Sequence, residues 1–361
     1  MTYDIAIIGA GMAGASLAAA IGSRARVVLI EAEDMPGRHA TGRSAAFWSE
    51  TYGGPAVQPL TTASGPALRD GGYLTPLGSL HIGRAEDGAR IERLLADFAG
   101  TGVALSPVDP ATHVPDLRPQ WCLGVWEPSC AYIDVAALHA DYLAAAKAAG
   151  AVVLTDAALL TAERRDGAWR LATRAGPVAA SLLVNAAGAW ADRVAEMACV
   201  APVGITPYRR TMVQLRTDPP APARLPHVVD IAGGFYFKPE TGGRLWLTPH
   251  DETPSVPCDI APEEWDVAVA IDRLEQVVDW RVDAVERRWA GLRSFAPDRV
   301  PVYGYDPRVP GFFWCAGQGG FGIQTAPAAA AMAAALLLGE GGVPEAIDPG
   351  RYDVGRFPAR S

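Results

Sequence analysis

The sequence predicts an α/β protein: a Rossmann-type dinucleotide-binding domain joined to an α+β domain built on an antiparallel-rich sheet. Three observations carry that reading. An apolar strand near the N-terminus runs into a G-x-G-x-x-G turn and a helix. A second glycine-rich turn lies between strand and helix near the C-terminus. Between the two, alternating strand-like segments recur over long stretches. A length of 361 residues fits two domains.

Composition sets the outer limits. Half the residues are hydrophobic and 20% are charged, so a packed core is expected. A formal charge of -9 argues against nucleic acid as a partner, because phosphate backbones call for a basic surface. Cys122, Cys130, Cys199, Cys258 and Cys315 form no metal-ligand spacing, and no metal site is expected. Their odd number and scatter fit a reduced, cytoplasmic protein. Two apolar stretches, 5–22 and 326–338, read as buried elements: the first is broken by glycines, and the second is too short to span a bilayer.

The first motif occupies "YDIAIIGAGMAGASLAAAIGSRARVVLIEAED". Tyr3 to Ile8 predicts a buried parallel strand, Met12 to Ile21 a helix, and Val27 to Ile30 a second strand ending at Glu31. Gly9 permits the tight turn, Gly11 lets a pyrophosphate approach the backbone, and Gly14 allows close helix–strand packing. Ala13 lies in the first helical turn, whose free N–H groups face the phosphates. Glu31 is placed to accept hydrogen bonds from a ribose diol, favouring FAD or NAD over NADP. In the following stretch, "MPGRHATGRSAAFWSE", Arg38, His39, Thr41, Arg43, Ser44 and Ala45 can line a second phosphate or a flavin edge. Ser44 is expected to cap a helix there.

Further on, Val135 to Ala149 predicts a helix and Val152 to Leu154 a strand. Arg165-Asp166-Gly167 signals a turn within hairpins over 160–180. Leu182 to Val184 reads as a buried strand entering the small-residue turn Ala186, Ala187, Gly188, with Trp190 opening the next helix. Segments 205–216, 235–247 and 285–295 read as strands. Segment 262–280 reads as an amphipathic helix with Trp265, Val269, Leu274 and Val277 on one face. Phe312 to Ala316 predicts a buried strand, followed by "GQGGFGIQT" and an Ala-rich helix from Pro327. Gly317, Gly319, Gly320 and Gly322 can aim N–H groups at an electron-poor flavin edge. NAD dehydrogenases seldom need such a second turn, so FAD is the expected cofactor.

Nearly the whole chain resembles a known family. "RHATGRSAA", "LVNAAGAWAD", "FYFKP", "WAGLRSFAPD" and "FFWCAGQGGFGIQT", with the first turn and Glu31, occur in the order seen in FAD-dependent amine and D-amino-acid oxidoreductases. These include glycine oxidase, monomeric sarcosine oxidase and D-amino-acid dehydrogenase, and the closest likeness is to D-arginine dehydrogenase. The resemblance implies a discontinuous FAD domain of segments 1–50, 135–205 and 298–361. Segments 51–134 and 206–297 would then form the substrate domain. It implies oxidative deamination of a D-amino acid. The α-hydrogen would leave as hydride to flavin N5, and the imine would hydrolyse in water. It further implies that Arg210 and Arg293 bind the substrate carboxylate and that Tyr52 and Tyr236 close the site. Gly320 and Gln324 would contact the substrate amine or the flavin. Gly291, Phe321 and Ile323 fall in the cofactor-binding motifs, and the FAD would be held non-covalently.

Two positions depart from the closest pattern. Phe47 replaces a histidine, and Ser79 stands where an acid would meet a basic side chain. A buried guanidinium without its acid is costly, so a small or apolar side chain is expected over D-arginine. By strand alternation Arg209 should face away from Arg210. The electron acceptor (a quinone, another carrier or oxygen) stays open. A second reading is an oxidase of glycine, sarcosine or an imino acid that uses oxygen. A third is a non-enzymatic binder on the same fold, against which both glycine turns speak.

Overall fold

In the computed structural model, residues 2–357 are described, so the outermost ends of the 1–50 and 298–361 segments lie outside it. Two large sheets dominate. In the first, the strand Thr2–Ile8 lies between Gly176–Asn185 and Val27–Ile30, all parallel, with Val152–Leu154 beyond. Phe312–Ala316 joins in parallel along the C-terminal half of Gly176–Asn185. Both faces of this sheet are covered. Ile5 and Ile7 pack into one core cluster while Ala6 and Ile8 pack into the other, which explains why the segment is apolar without alternation. The helices Met12–Ile21 and Ala326–Leu338 cover one face, where Leu17, Ala18 and Ile21 meet Ala329, Met332 and Ala333.

The second sheet has ten strands. Its centre is the 13-residue strand Thr206–Asp218 paired antiparallel with the 15-residue strand Arg281–Phe295. Its pairings are antiparallel except between His227–Asp230 and Ser79–Gly83. The turn after Phe312–Ala316 is stitched to this sheet, since Ser294 pairs with Gly319 and Phe295 with Gln318. A small third sheet joins Phe47–Trp48, Ala131–Ile133 and Leu74–Pro76. The helix Gln58–Asp70 packs on the first sheet's side: Leu60 shares a cluster with Ala328 and Ala329, and Ser64 accepts the Ala328 N–H.

Several expectations need correction. No helix starts at Ser44. A 3-10 turn, Thr41–Arg43, precedes it, and its Oγ accepts the Ala46 N–H before the chain enters the strand Phe47–Trp48. A serine hydroxyl that closes a local turn offers the backbone an alternative to a helix start. The hairpin over 160–180 and the strand 182–184 share one continuous strand, Gly176–Asn185. It pairs antiparallel with Ala168–Thr173 and in parallel with Thr2–Ile8. The turn between Leu159–Arg165 and Ala168–Thr173 lies at Asp166 and Gly167, both with positive φ as a tight hairpin requires. Segment 235–247 is two strands, Tyr236–Glu240 and Arg244–Thr248, folded on each other. The amphipathic helix is Glu264–Glu275, with Val267, Ala270 and Leu274 inward; Trp265 is 74% exposed and Val269 only half-buried. Among the described residues, no helix is long and apolar enough to cross a membrane.

Candidate active site

A cavity of about 430 Å³ runs from the first glycine turn, past the 37–45 loop, to the second turn and the inner face of the ten-stranded sheet. At its nucleotide end Gly9 adopts φ +98°, and a Cβ there would press to 2.6 Å from the Ala186 carbonyl. A Cβ at Gly14 would run into the Gly9 carbonyl, so this glycine serves helix–strand packing and does not line the cavity. Gly11 and Ala13 do line it, at a helix whose first turn carries no acid. The Met12 N–H donates to Thr41 Oγ1 at 3.0 Å. Glu31 lies at the cavity wall and accepts the Ala10 and Glu33 N–H groups at 2.9 and 3.1 Å.

The loop residues are already engaged with protein. His39 bonds Glu33 at 2.9 Å and tilts against Trp190 with ring centroids 4.8 Å apart. Arg38 pairs with Glu33 and Asp34. Arg43 gives its guanidinium to the Ile260 and Ala290 carbonyls and the Asp259 carboxylate, tying this loop to the roof sheet. All three line the cavity, as do Ser44, Ala45, Ala187, Gly188 and Trp190.

In the second turn, Gly319, Gly320, Gly322 and Ile323 line the cavity, whereas Gly317, Phe321, Gln324 and the strand glycine Gly291 do not. Phe321 packs between Tyr52 and Phe295. Gln324 is 2% exposed, and its amide is consumed within the protein. Its Oε1 accepts the Ser49 N–H, and its Nε2 donates to the Tyr52 carbonyl and Thr61 Oγ1. The direct contact expected of Gln324 gives way to a grip on the 49–52 loop.

At the far end, Arg210, Tyr236 and Arg293 come together. Arg293 Nη2 donates to the Tyr236 hydroxyl at 3.1 Å, and its guanidinium lies 5.7 Å from the Tyr52 ring centre. Tyr52 does not line the cavity itself but stands behind Gly320, where a Cβ would strike its hydroxyl. Arg210 Nε donates to the Asp251 carbonyl and Nη2 to Glu252, while Nη1 is buried with no partner among the described residues. Burial, with Arg293 nearby, pulls Arg210 down to about 10. Burial also opposes the charge on Arg293, but Tyr52 and Tyr236 more than offset it, leaving its pKa raised. Arg209 turns to the opposite face and meets Glu263, Asp266 and Asp251.

The residues fit a dinucleotide flavin. A pyrophosphate can reach the acid-free helix turn at Gly11, a ribose can meet Glu31, and the ring system can lie along Gly319–Gly322 beneath the arginines. The family model for DAO, FAD dependent oxidoreductase, matches residues 4–336. The chain belongs to this family. FAD is its cofactor.

Relatives of this DAO-family protein differ in how much of them it covers. The glycine oxidase of Geobacillus kaustophilus is 26% identical over 358 residues, 93% of each chain. The mitochondrial dimethylglycine dehydrogenase of Mus musculus is 28% identical over 226 residues, and that match spans only 25% of its length. Among solved structures, L-proline dehydrogenase from P. horikoshii superposes with a TM-score of 0.86 at 21% identity, covering 99% of this chain and 98% of that one. Glycine oxidase from Geobacillus kaustophilus gives 0.82 at 24%, covering 99% and 100%. These two likenesses establish the fold.

Sequence reasoning overlooked several wall residues. Met212 and Leu292 flank the arginines, Gln318 opens the second turn, and Cys258 and Ile260 arrive from a loop without a motif. Strand alternation from Arg210 points to Met212; nothing in the sequence points to Cys258.

Proposed function

We propose that this protein oxidises the amine-bearing carbon of a small or apolar D-amino acid, releasing an imine that hydrolyses in water to a 2-oxo acid and ammonia. One observation carries the reading: the buried, unpartnered Nη1 of Arg210 beside Arg293 at the flavin end of the cavity. Arg293 pairs with no acid among the described residues, and Arg210, though it donates to Glu252, keeps one N–H unused, a set of donors that favours a carboxylate ligand.

When bound, the flavin supplies the hydride acceptor. The chain's own residues bind and orient. Arg293 presents a planar fork, with the Tyr236 hydroxyl as a second donor, and Arg210 adds its free N–H. Tyr52 backs Gly320 and helps exclude water. Phe47 and His227 do not line the cavity but pack against its wall residue Tyr236, and their surroundings support the apolar preference. Ser79 is fully buried, and its Oγ lies 3.2 Å from His227 Nδ1. Phe47 packs on that imidazole at 4.3 Å. Glu127, directly across the ladder from Ser79, has both carboxylate oxygens engaged by residues 49–51. A basic side chain would therefore meet no free carboxylate there.

A second reading is oxidation of glycine, sarcosine or an imino acid with oxygen as acceptor. It draws support from the glycine oxidase relative that matches along nearly its whole length. We assign the FAD-binding part to 1–50, 135–205 and 298–361 and the substrate part to 51–134 and 206–297, with non-covalent FAD and a cytoplasmic setting; the five cysteines are unpaired. Anaerobic mixing of the yellow holoprotein with D-alanine, D-leucine, D-arginine, glycine, sarcosine and L-proline tests the reading. Bleaching first by small or apolar D-amino acids supports it, bleaching only by glycine, sarcosine or L-proline favours the second, and no bleaching refutes both. Colour left in an acid-precipitated pellet would refute non-covalent binding.

A further inference from the structure

We infer that Glu127 is a positioning residue for this reaction: from the roof sheet it fixes the 49–51 backbone so that Tyr52 stands behind Gly320 and beside Arg293. The inference rests on the site proposed above. Glu127 lies in the strand Leu123–Glu127 and is fully buried, an expensive place for a carboxylate unless its lone pairs are filled. The close donors come from one short segment, with Ser129 Oγ more distant at 3.5 Å from Oε1. Ser49 Oγ and Thr51 Oγ1 donate to Oε2 at 2.9 and 2.6 Å, and the Glu50 N–H donates to Oε1 at 2.7 Å. His81 Nε2 lies 3.2 Å from Thr51 Oγ1 and 3.6 Å from the carboxylate. Burial pushes the Glu127 carboxyl up, but His81, Thr51 and Ser49 more than offset this and hold it below the usual range.

The same segment is gripped from the other side. Gln324, in the flavin turn, holds the Ser49 N–H and the Tyr52 carbonyl. Residues 49–52 are thus suspended between an ionised acid on one sheet and an amide beside the other. The product of that suspension is the placement of Tyr52, whose ring meets Phe47, Phe321 and the Arg293 guanidinium. Glu127 neither lines the cavity nor touches the arginines, so its influence on the reaction passes through this loop.

A double-mutant cycle on the holoenzyme tests this, using the best amino acid from the panel. Tyr52→Phe should raise KM about 10-fold. Glu127→Gln keeps the shape but removes the charge, and should raise KM to a similar extent with flavin content unchanged. The double variant should be no worse than the poorer single one, because both act through Tyr52. Losses that multiply in the double variant, or a Glu127→Gln defect explained by shed flavin alone, would overturn the inference. Should Glu127→Gln fail to fold, Thr51→Val removes one of its hydroxyl donors, and the same cycle with Tyr52→Phe decides. Unchanged KM in Tyr52→Phe alone would instead overturn the site reading, and this inference with it.

Discussion

Arg293 reaches the Tyr236 hydroxyl at 3.1 Å although the strands Thr206–Asp218 and Arg244–Thr248 separate theirs in the sheet, within a wall that Arg210 shares. The contact orients the guanidinium before any ligand arrives, which limits the entropy lost on binding.

Arg293→Ala should lower kcat/KM by about 2–5 kcal/mol of transition-state binding, since one partner of a buried charge pair is lost. Arg293→Lys keeps the charge without the fork and should also be impaired. Steady-state kinetics on the best substrate checks both, with flavin content as control. Wild-type turnover by Arg293→Ala would end the carboxylate assignment.

Arg209→Ala should act on stability. Its guanidinium is 8% exposed and serves the exposed Glu263 and the largely buried Asp266 and Asp251, so removal takes a cation from two sheltered acids at a cost of about 3–5 kcal/mol. Denaturant melts should show the loss while KM of the folded fraction stays near wild type. A large rise in KM with stability intact would mean that Arg209 serves the substrate.

Glu31→Ala should weaken FAD retention by about 1.5–3 kcal/mol for each hydrogen bond lost to the ribose. Part of the effect will be local, because Glu31 also anchors the Ala10 and Glu33 N–H groups of the turn. Titration of apoprotein with FAD measures it, and unchanged affinity would mean the acid contributes only to the turn.

Gly320→Ala should cut kcat/KM by about 100-fold, the scale of an ångström-size displacement at a reacting centre. A Cβ there strikes the Tyr52 hydroxyl and comes within 3.3 Å of Arg293 Cζ. Kinetics at full flavin occupancy checks this, and near-normal turnover would show that Tyr52 can move without consequence.

Acid should destabilise the protein through His250. Burial, then Arg210 and Arg293, lowers its pKa from 6.5 to about 3. The unfolded chain therefore binds a proton that the folded one refuses, so Tm should fall as pH drops from about 6.5 towards 3. His250 has φ +56°, which asparagine tolerates, so His250→Asn should flatten that slope. An unaltered slope would assign the acid sensitivity elsewhere.

Much of this was legible because the informative segments obey local rules. The helix Met12–Ile21 and the strands Val27–Ile30 and Phe312–Ala316 match their expected bounds: both strands are unbroken apolar runs, and the helix is a charge-free run of small and apolar residues between Gly11 and Gly22. Arg209 and Arg210 part to opposite faces because strand geometry demands it. Illegible were the contacts made between distant segments. Gln324 sits in a cofactor motif, yet it serves Ser49 and Tyr52, some 270 residues away in sequence. The Glu127 cluster draws on three segments without any shared pattern. Helical spacing puts Trp265 on the apolar face with Leu274, whereas in the fold Val267 and Ala270 fill the inward positions and Trp265 is exposed.

The ladder joining Ser294 to Gly319 makes the flavin turn and the arginine-bearing strand one piece of backbone. In the proposed site, the spacing between carboxylate anchor and cofactor edge is then set like a ruler, and side chains cannot stretch it. A substrate must carry its oxidisable carbon next to its carboxylate to lie under the right mark. β-Alanine, with its amine one carbon further out, should compete for the anchor without bleaching the flavin; turnover of β-alanine would show that the ruler bends.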